Sequence, residues 1–260
     1  MEEDSKMIDL HNHILYGQDD GAETLEESLQ MCRISYHDGV RTIVATPHIL
    51  PGIYENDRSM ILAKVRELST ALVHSELRTP NSELSLTILP GADVHFSSDL
   101  LERLERKEVL TVNDQGRYLM VEFESQGIPY MAEEALFQML TKGIVPIISH
   151  PERNMEIGKK PKRYYEMVRM GCLGQVTAMS LTGEFGSEIK RSAEKLLAKR
   201  LIHIIASDAH SPDRRPPILS AGVKAAEKIV GIEEARKMVT EYPKALIEGR
   251  RPDVPEPLSP

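Results

Sequence analysis

The sequence predicts a parallel α/β fold, and three observations lead to that prediction. Short apolar, β-rich runs alternate along the chain with longer stretches of helical periodicity. Gly-plus-apolar stop signals at residues 38–40, 142–145 and 170–173 end helices and lead into the next β-rich run. The 260 residues, 41% of them hydrophobic, provide a core large enough for one α/β barrel. A sheet of parallel strands joined by crossover helices explains all three.

Seven strands are predicted, which is a plausible number for a barrel: residues 7–11, 42–46, 85–89, 119–123, 145–149, 174–177 and 203–207. The first helix is predicted to begin at Thr24, where Thr24 and Glu27 match a capping box, and to end at Asp38-Gly39. Further helices are predicted at residues 57–77, 99–107, 132–142, 164–170, 187–199 and 217–230.

Composition and charge exclude several classes of protein. The formal net charge of -8 repels phosphate backbones and disfavours nucleic-acid binding. The acidic N-terminus does not resemble a secretory signal, and no run of 18 apolar residues predicts membrane insertion. Cys32 and Cys172 lie outside any Cys-x-x-Cys motif, which favours buried thiols. We therefore expect a cytoplasmic protein.

Histidines and carboxylates follow the predicted strands where those strands end. Because active sites of parallel α/β folds form at the carboxyl ends of the strands, we expect these side chains to lie together. The candidates in chain order are His11, His13, His48, Asp93, His95, Glu122, His150, Asp208 and His210. Six of the nine histidines in the chain are among them.

The spacing of these residues is suited to chelation. In an extended chain residues i and i+2 face the same way, so His11 and His13 present two imidazoles together, as do the side chains of Asp208 and His210. Imidazoles and carboxylates without thiolates suit Mn²⁺, Fe²⁺ or Zn²⁺. The number of candidates favours two or three ions, with Glu122 as a possible bridging ligand. The alternative is a set of polar residues that satisfy one another at the strand ends.

Arginines beside these histidines indicate phosphate as the ligand. Arg153 follows His150 by three residues, and Arg214-Arg215 follow His210; planar guanidinium groups pair with phosphate in bidentate fashion. Taken alone, Arg214-Arg215 is equally well explained as a solvated charge pair. In the segment Asp19-Asp20-Gly21 a carboxylate could be a metal ligand, a cap or a proton donor, and the spacing does not decide between these roles.

Other phosphate and hydrolase chemistries lack their residues. Neither cysteine is followed after six residues by the arginine of a cysteine phosphatase, since Asp38 and Ala178 stand there. There is no Gly-x-x-x-x-Gly-Lys-Ser/Thr loop, Gly-x-Ser-x-Gly elbow or His-Glu-x-x-His helix. Of the hydrolytic chemistries considered, hydrolysis by a metal-activated water is the one whose residues are present.

The ligand pattern resembles that of the polymerase and histidinol phosphatase (PHP) superfamily over nearly the whole chain. Residues 7–13, 19–21, 24–28, 149–153 and 206–210 further resemble the bacterial manganese-dependent protein-tyrosine phosphatases of the capsule and exopolysaccharide type. The resemblance implies a distorted (β/α)₇ barrel, TIM-like, around a trinuclear metal site. We expect residues 1–250 to form this single domain and residues 251–260 to form a Pro-rich C-terminal tail.

The same resemblance implies the role of each site residue. The implied metal ligands are His11, His13, His48, Asp93, Glu122, His150, Asp208 and His210. Asp20 would protonate the tyrosyl leaving oxygen, Arg153 and Arg215 would hold the phosphoryl group, and a metal-activated hydroxide would attack it. Mn²⁺ is the expected cofactor.

The implied substrate is phosphotyrosine in a protein, namely the tyrosine-rich tail of a bacterial tyrosine kinase that controls polysaccharide synthesis. The family usually has Glu where this chain has Asp93, one methylene shorter, and His95 could assist as a ligand or lie at the rim. Two alternatives stay open: a PHP phosphoesterase acting on a small metabolite such as histidinol phosphate, and a catalytically silent metal-binding regulatory module.

Overall fold

The computed structural model describes residues 6–74 and 86–260. Within these ranges there are nine strands: β1 (Met7–Asn12), β2 (Val40–Ala45), β3 (His48–Ile49), β4 (Thr87–Pro90), β5 (Asp93–His95), β6 (Tyr118–Glu122), β7 (Val145–Ser149), β8 (Leu173–Thr177) and β9 (Ile204–Ala206). The α-helices are α1 (Leu25–His37), α2 (Arg58–His74), α3 (Leu100–Glu105), α4 (Ala132–Thr141), α5 (Met155–Lys159), α6 (Lys162–Met170), α7 (Ala178–Thr182), α8 (Ser187–Ala198), α9 (Ser220–Val230), α10 (Ile232–Lys237) and α11 (Glu241–Ile247).

The strands form two parallel sheets, which confirms the predicted fold class. One sheet has the order β1-β2-β4 and the other the order β3-β5-β6-β7-β8-β9, and every pairing is parallel. Parallel pairing requires a crossover between consecutive strands, and helices provide most of these crossovers. Most strand residues are buried on both faces, as expected for a sheet covered by helices.

The prediction of seven strands is wrong in number because the short strands β3 and β5, which follow the predicted strands 42–46 and 85–89, were not predicted. Residues 46 and 47 separate β2 from β3, and residues 91 and 92 separate β4 from β5. A Cβ atom on Gly91 would lie 2.7 Å from Val44 Cγ1, so the chain passes β2 closely between β4 and β5. The predicted strand 85–89 corresponds to β4, and its first residue lies outside the described residues, as do the last three of the predicted helix 57–77.

Backbone hydrogen bonds connect the two sheets at the carboxyl ends of their strands. Asp208 N donates to His11 O at 2.8 Å and His13 N donates to Ala209 O at 2.9 Å, which joins the segment after β9 to β1. Asp93 N donates to Pro47 O at 3.2 Å, which joins β5 to the two-residue link between β2 of one sheet and β3 of the other. These bonds bring the candidate ligands of both sheets to one edge.

Several helices differ from their predicted bounds for local reasons. Thr24 accepts a hydrogen bond from Glu27 N at the start of α1, as the capping pattern predicts. Helix α9 begins at Ser220 rather than at Pro217; Leu219 N and Ser220 N donate to Asp38 Oδ2, so a carboxylate from the end of α1 fixes the start of α9. The short helices α5, α7, α10 and α11 were not predicted, because their runs are too brief for a periodic pattern.

The C-terminal segment lies against the amino ends of the strands. Pro252 is buried, Val254 packs against the core, and Leu258 N donates to Lys199 O at 2.9 Å. A cavity of about 750 Å³ lies between this segment and the first residues of β6, β7 and β8. Across residues 6–74 and 86–260, no helix has both the length and the apolar character needed to span a bilayer.

Candidate metal centre

Imidazoles and carboxylates from both sheets converge at the carboxyl ends of the strands. His11 Nε2 and His13 Nε2 are 3.0 Å apart, and the rings of His13 and His210 have centroids 3.9 Å apart. The structure contains three groups of residues that could each hold a metal ion, because the potential ligand atoms within each group lie within 4.8 Å of one another. The groups are His13, Asp20, His48 and His210; His11, His13 and Asp93; and His48, Asp93 and Glu122. All but Asp20 belong to the ligand set implied by the sequence.

Two further ligand candidates complete the cluster. His150 Nε2 lies 3.8 Å from Asp93 Oδ2 and 3.5 Å from Glu122 Oε1. Asp208 Oδ1 lies 3.5 Å from His11 Nε2 and 3.4 Å from His13 Nε2. The structure therefore brings together all eight residues that the sequence pattern and the resemblance selected as metal ligands.

Two of these candidate ligands have a left-handed backbone conformation. His150 follows β7 with φ of 31° and Asp208 follows β9 with φ of 50°. Residues other than glycine rarely adopt positive φ, and such strain concentrates at functional sites. The turn after each strand re-aims one side chain into the cluster, a feature that the alternation of strand residues does not reveal.

Hydrogen bonds to the outer ring nitrogens fix the orientation of the histidines. Asp19 Oδ2 lies 2.6 Å from His13 Nδ1 and also accepts from His48 N at 2.8 Å. Gln175 Oε1 lies 3.0 Å from His11 Nδ1. Partners of this kind set the tautomer that leaves Nε2 free as a ligand atom. Sequence reasoning missed Gln175 and gave Asp19 no definite role; the available signal was a polar residue in the middle of the buried strand β8.

Burial and charge shift the pKa values of the cluster in opposite directions. Burial lowers the pKa of His11 to about 4, so its imidazole is neutral. Burial opposes protonation of His13 as well, but the charge and hydrogen bond of Asp19 outweigh it and raise the pKa of His13 to about 10. Burial would raise the pKa of Asp208, but Arg153 and the neighbouring histidines hold it well below its usual range.

The buried carboxylate of Asp93 has one oxygen without a partner. Ser149 Oγ donates to Asp93 Oδ1 at 2.5 Å, whereas Asp93 Oδ2 has no hydrogen bond to any described group. That oxygen faces ring nitrogens of His11, His48 and His150 at 3.5, 3.8 and 3.8 Å. An ionised, fully buried oxygen aimed at three imidazoles is the arrangement that a cation would complete. The donor set fits Mn²⁺, Fe²⁺ or Zn²⁺.

Two arginines meet at the cluster. Arg153 Nη2 and Arg215 Nη2 both donate to Asp208 Oδ2, the latter at 2.7 Å. The centroid of the Phe185 ring lies 4.4 Å from Arg153 Cζ and 5.7 Å from Arg215 Cζ, within cation–π distance of both guanidinium groups. In the described part of the chain, the buried Nε atoms of Arg153 and Arg215 have no hydrogen-bond partner. Sequence reasoning did not find Phe185.

The remaining predicted residues lie around the rim. Asp20 is half exposed and its Oδ1 lies 3.5 Å from His210 Nε2, whose hydrogen bond lowers the pKa of Asp20. His95 Nδ1 lies 3.4 Å from Glu122 Oε2, on the outer side of that carboxylate.

Arg214 is exposed, so the expectation that both arginines of the pair lie beside the cluster is wrong for Arg214 and right for Arg215. A Cβ atom on Gly21 would lie 2.2 Å from His13 O, which explains glycine there.

A parallel α/β fold with a histidine and carboxylate centre at its strand ends is the architecture of metal-dependent hydrolases. Within that class the chain belongs to the family described as "Capsular polysaccharide synthesis, CpsB/CapC", whose model matches residues 7–248. It is 34% identical to tyrosine-protein phosphatase YwqE of Bacillus subtilis over 244 residues, covering 94% of this chain and 92% of that protein. It is 33% identical to tyrosine-protein phosphatase CpsB of Streptococcus pneumoniae, and the alignment covers 93% of this chain and 98% of that protein.

Solved structures agree with this assignment. The fold matches a chain from the crystal structures of YwqE and CpsB, described as unique metal-dependent tyrosine phosphatases, with a TM-score of 0.91, 32% identity and coverage of 98% and 99%. An organophosphorus hydrolase variant from Deinococcus radiodurans matches with a TM-score of 0.59 at 14% identity, which is a likeness of fold alone.

Proposed function

We propose that this chain hydrolyses phosphotyrosine in proteins with the help of bound metal ions. The observation that carries the proposal is the pair of buried Nε donors on Arg153 and Arg215, which lie without partners beside eight convergent ligand side chains. Guanidinium donors next to a cation site match the oxygens of a phosphoryl group. The names of the related proteins favour a tyrosyl substrate over a small metabolite such as histidinol phosphate.

The proposed metal ligands are His11, His13, His48, Asp93, Glu122, His150, Asp208 and His210. Mn²⁺ is the proposed metal, with two or three ions, and Fe²⁺ or Zn²⁺ are compatible with the same donors. When bound, the ions lower the pKa of water to near neutrality and offset the charge of the phosphoryl group. Asp19 and Gln175 hold two of the imidazoles in the tautomers that this binding requires.

The other proposed roles follow from position. Arg153 and Arg215 bind the phosphoryl oxygens with their free Nε donors, and Phe185 keeps both guanidinium planes in place. Asp20 is the half-exposed carboxyl at the rim, from which it protonates the tyrosyl oxygen as that oxygen leaves. His210 lowers the pKa of Asp20, and the negative charge of a bound phosphate opposes that shift.

We further propose a barrel fold, a kinase substrate and a cytoplasmic location for this chain. Residues 1–250 form a distorted (β/α)₇ barrel of the PHP type and residues 251–260 a tail; the hydrogen bonds between β1 and the segment after β9 support this. The proposed substrate is the tyrosine-rich tail of a bacterial tyrosine kinase in capsule or exopolysaccharide synthesis, in the cytoplasm. The free thiols of Cys32 and Cys172 suit that reducing compartment. Nucleic acid is disfavoured by the net charge of -8.

The test is phosphate release from a phosphotyrosyl peptide, compared with a phosphoseryl peptide and histidinol phosphate. Chelated protein is measured with and without Mn²⁺, and His13→Ala is the control. We expect Mn²⁺-dependent release from the phosphotyrosyl peptide alone, lost in His13→Ala. Turnover of histidinol phosphate alone would replace the proposal with the metabolic one, and metal binding without turnover would replace it with a silent module.

A further inference from the structure

A second cavity lies beside the candidate metal centre, between α5, α8 and the turn Pro151–Arg153. Its volume is about 330 Å³, within the range of roughly 300–1,000 Å³ typical of ligand sites. It shares Arg153 and Asn154 with a smaller cavity of about 220 Å³, whose walls include the cluster residues Glu122 and His150. One group of an extended ligand can therefore occupy this cavity while another reaches the cluster.

Cations dominate the outer wall of the cavity. Lys159 of α5 and Arg191 and Lys195 of α8 line it, and residues 191 and 195 are one helical turn apart on the same face. All three are exposed and have no ion-pair partner among residues 6–74 and 86–260. The carboxylate of Glu188 lies on the same wall, and that of Glu152 lies at the base. With Arg153 the cations outnumber the carboxylates, so an anionic group is the favoured occupant.

Two buried polar atoms at this cavity have no partner. Ser192 is 8% exposed and Glu152 is 2% exposed. Glu152 Oε1 accepts from Thr177 N at 3.1 Å and from Ser180 Oγ at 2.7 Å. Its second oxygen, Oε2, and Ser192 Oγ make no hydrogen bond to described groups. Buried polar atoms are nearly always satisfied, so these two atoms are positions at which an occupant of the cavity, or an ordered water beside it, supplies a hydrogen bond.

We propose that this cavity binds an acidic side chain of the phosphotyrosyl peptide, next to the phosphotyrosine itself. A peptide meets both requirements, because its acidic group pairs with Lys159, Arg191 and Lys195 while a backbone N–H donates to Glu152 Oε2. A fully deprotonated inorganic anion such as sulfate would leave that oxygen without a donor and would be repelled by it. The acidic group is a carboxylate or a second phosphotyrosine. The inference rests on the proposed function, since it assigns the cavity to the same substrate.

The first experiment measures kcat/KM with the Mn²⁺-loaded full chain on three sets of phosphotyrosyl peptides. In one set all flanking residues are neutral, in the second a single Glu is moved through the flanking positions, and in the third a second phosphotyrosine replaces that Glu. We expect kcat/KM to rise by about fivefold to tenfold at one flanking position, through a lower KM. The second and third sets distinguish a carboxylate from a phosphoryl group.

Charge reversal then locates the effect. Lys195→Glu is expected to remove the preference for the acidic peptide, so that the ratio of kcat/KM between acidic and neutral peptides falls close to one. Lys224→Glu is the matched control, because Lys224 is an exposed lysine of α9 that lies outside the cavity. This substitution changes the net charge by the same amount as Lys195→Glu. We expect Lys224→Glu to keep the preference of the parent chain.

Binding measurements separate failure of this inference from failure of the proposed function. Fluorescence anisotropy of labelled peptides on His13→Ala, in which turnover is blocked, should show tighter binding of the acidic peptide, lost in the double variant with Lys195→Glu. Absence of turnover with all peptides overturns the proposed function. The inference alone is overturned if turnover and binding show no preference for the acidic peptide, or if Lys224→Glu loses that preference as much as Lys195→Glu does. It is also overturned if inorganic phosphate completely abolishes the preference for the acidic peptide.

Discussion

Buried histidines lie at both ends of the parallel strands, but their surroundings differ. At the carboxyl ends, His11 uses both ring nitrogens, since Nδ1 contacts Gln175 and Nε2 lies 3.0 Å from His13 Nε2. At the amino ends, His203 precedes β9, and its Nδ1 accepts one hydrogen bond, from Gly174 N at 3.0 Å. Burial lowers the pKa of each to about 4. Burial and a neutral imidazole are thus common to both.

The difference lies in what else faces each ring. Nε2 of His11 faces carboxylate oxygens of Asp93 and Asp208 at 3.5 Å each. No carboxylate of the described residues lies within ion-pair distance of His203, whose ring borders the cavity beneath the C-terminal segment. A buried histidine therefore indicates a metal site only where anionic oxygens share the space in front of its free nitrogen. By this criterion His203 is a packing residue.

Matched substitutions at the two ends test this distinction most strongly. Asp208→Asn keeps the shape of a side chain that touches both arginines and two imidazoles, but removes its charge. We expect Mn²⁺-dependent phosphotyrosine hydrolysis to fall by about 10³-fold or more. His203→Asn keeps an acceptor for Gly174 N, and we expect activity within about twofold of the parent chain. Comparable losses in steady-state assays would contradict the distinction.

Asp20→Asn separates a proton donor from a metal ligand at the rim. A general acid contributes about 10²-fold or more when the leaving group needs a proton. We expect hydrolysis of a phosphotyrosyl peptide to fall by about that factor, while p-nitrophenyl phosphate, whose nitrophenolate leaves without a proton, is affected by about threefold or less. Equal losses on both substrates, together with weaker Mn²⁺ binding in calorimetry, would assign Asp20 to the ligands instead.

Arg215→Lys tests whether the free Nε matters. Lysine keeps the positive charge near Asp208 but has neither the planar fork nor the Nε donor. We expect kcat to fall by about 10²-fold, with Mn²⁺ affinity within about threefold of the parent value. Arg214→Lys, one residue earlier and exposed, is the control that should change neither. A fall in Mn²⁺ affinity equal to the fall in kcat would mean that Arg215 acts through Asp208 alone.

Much of this site could be predicted from the sequence, because ligand residues must follow strands of a parallel sheet. The i, i+2 spacing of His11 and His13 was sufficient to predict their common direction. The partnership of Gln175 with His11 was not predictable, because it depends on how β8 lies relative to β1. Phe185 was missed for the same reason: its partners, Arg153 and Arg215, are distant in sequence and meet only in the fold.

The strand count shows a second limit of sequence reasoning. Hydrophobic runs located β2 and β4, but the short strands β3 and β5 contain His48 and Asp93, polar residues that no strand pattern selects. Each of these residues directly follows the two-residue link that separates its strand from the preceding one. Sequence periodicity fails where the chain departs from regular geometry to place a ligand.

Metal removal probes the cluster through stability. A ligand that binds only the folded state at a concentration of about 100 Kd adds roughly 2.7 kcal/mol to the free energy of unfolding. We therefore expect a chelator to lower the Tm of the Mn²⁺-loaded chain by about 5–10 °C. His203→Asn should show the same shift, whereas His13→Ala should show little. Scanning calorimetry measures all three, and an unchanged Tm in the parent chain would argue against bound metal.

The pH dependence of stability isolates the other end of the strands. The pKa of His203 is lowered from 6.5 to about 4 in the folded chain, so the unfolded chain binds more protons between these values. Its contribution to stability is complete above pH 6.5 and is lost as the pH falls towards 4, amounting to about 2 kcal/mol by pH 5. We expect denaturant unfolding of chelated His203→Asn to show a pH slope over this window that is smaller by that amount. His37→Asn, at the exposed end of α1, is the control that should keep the parent slope, and equal slopes in all three chains would mean that His203 is protonated without cost in the fold.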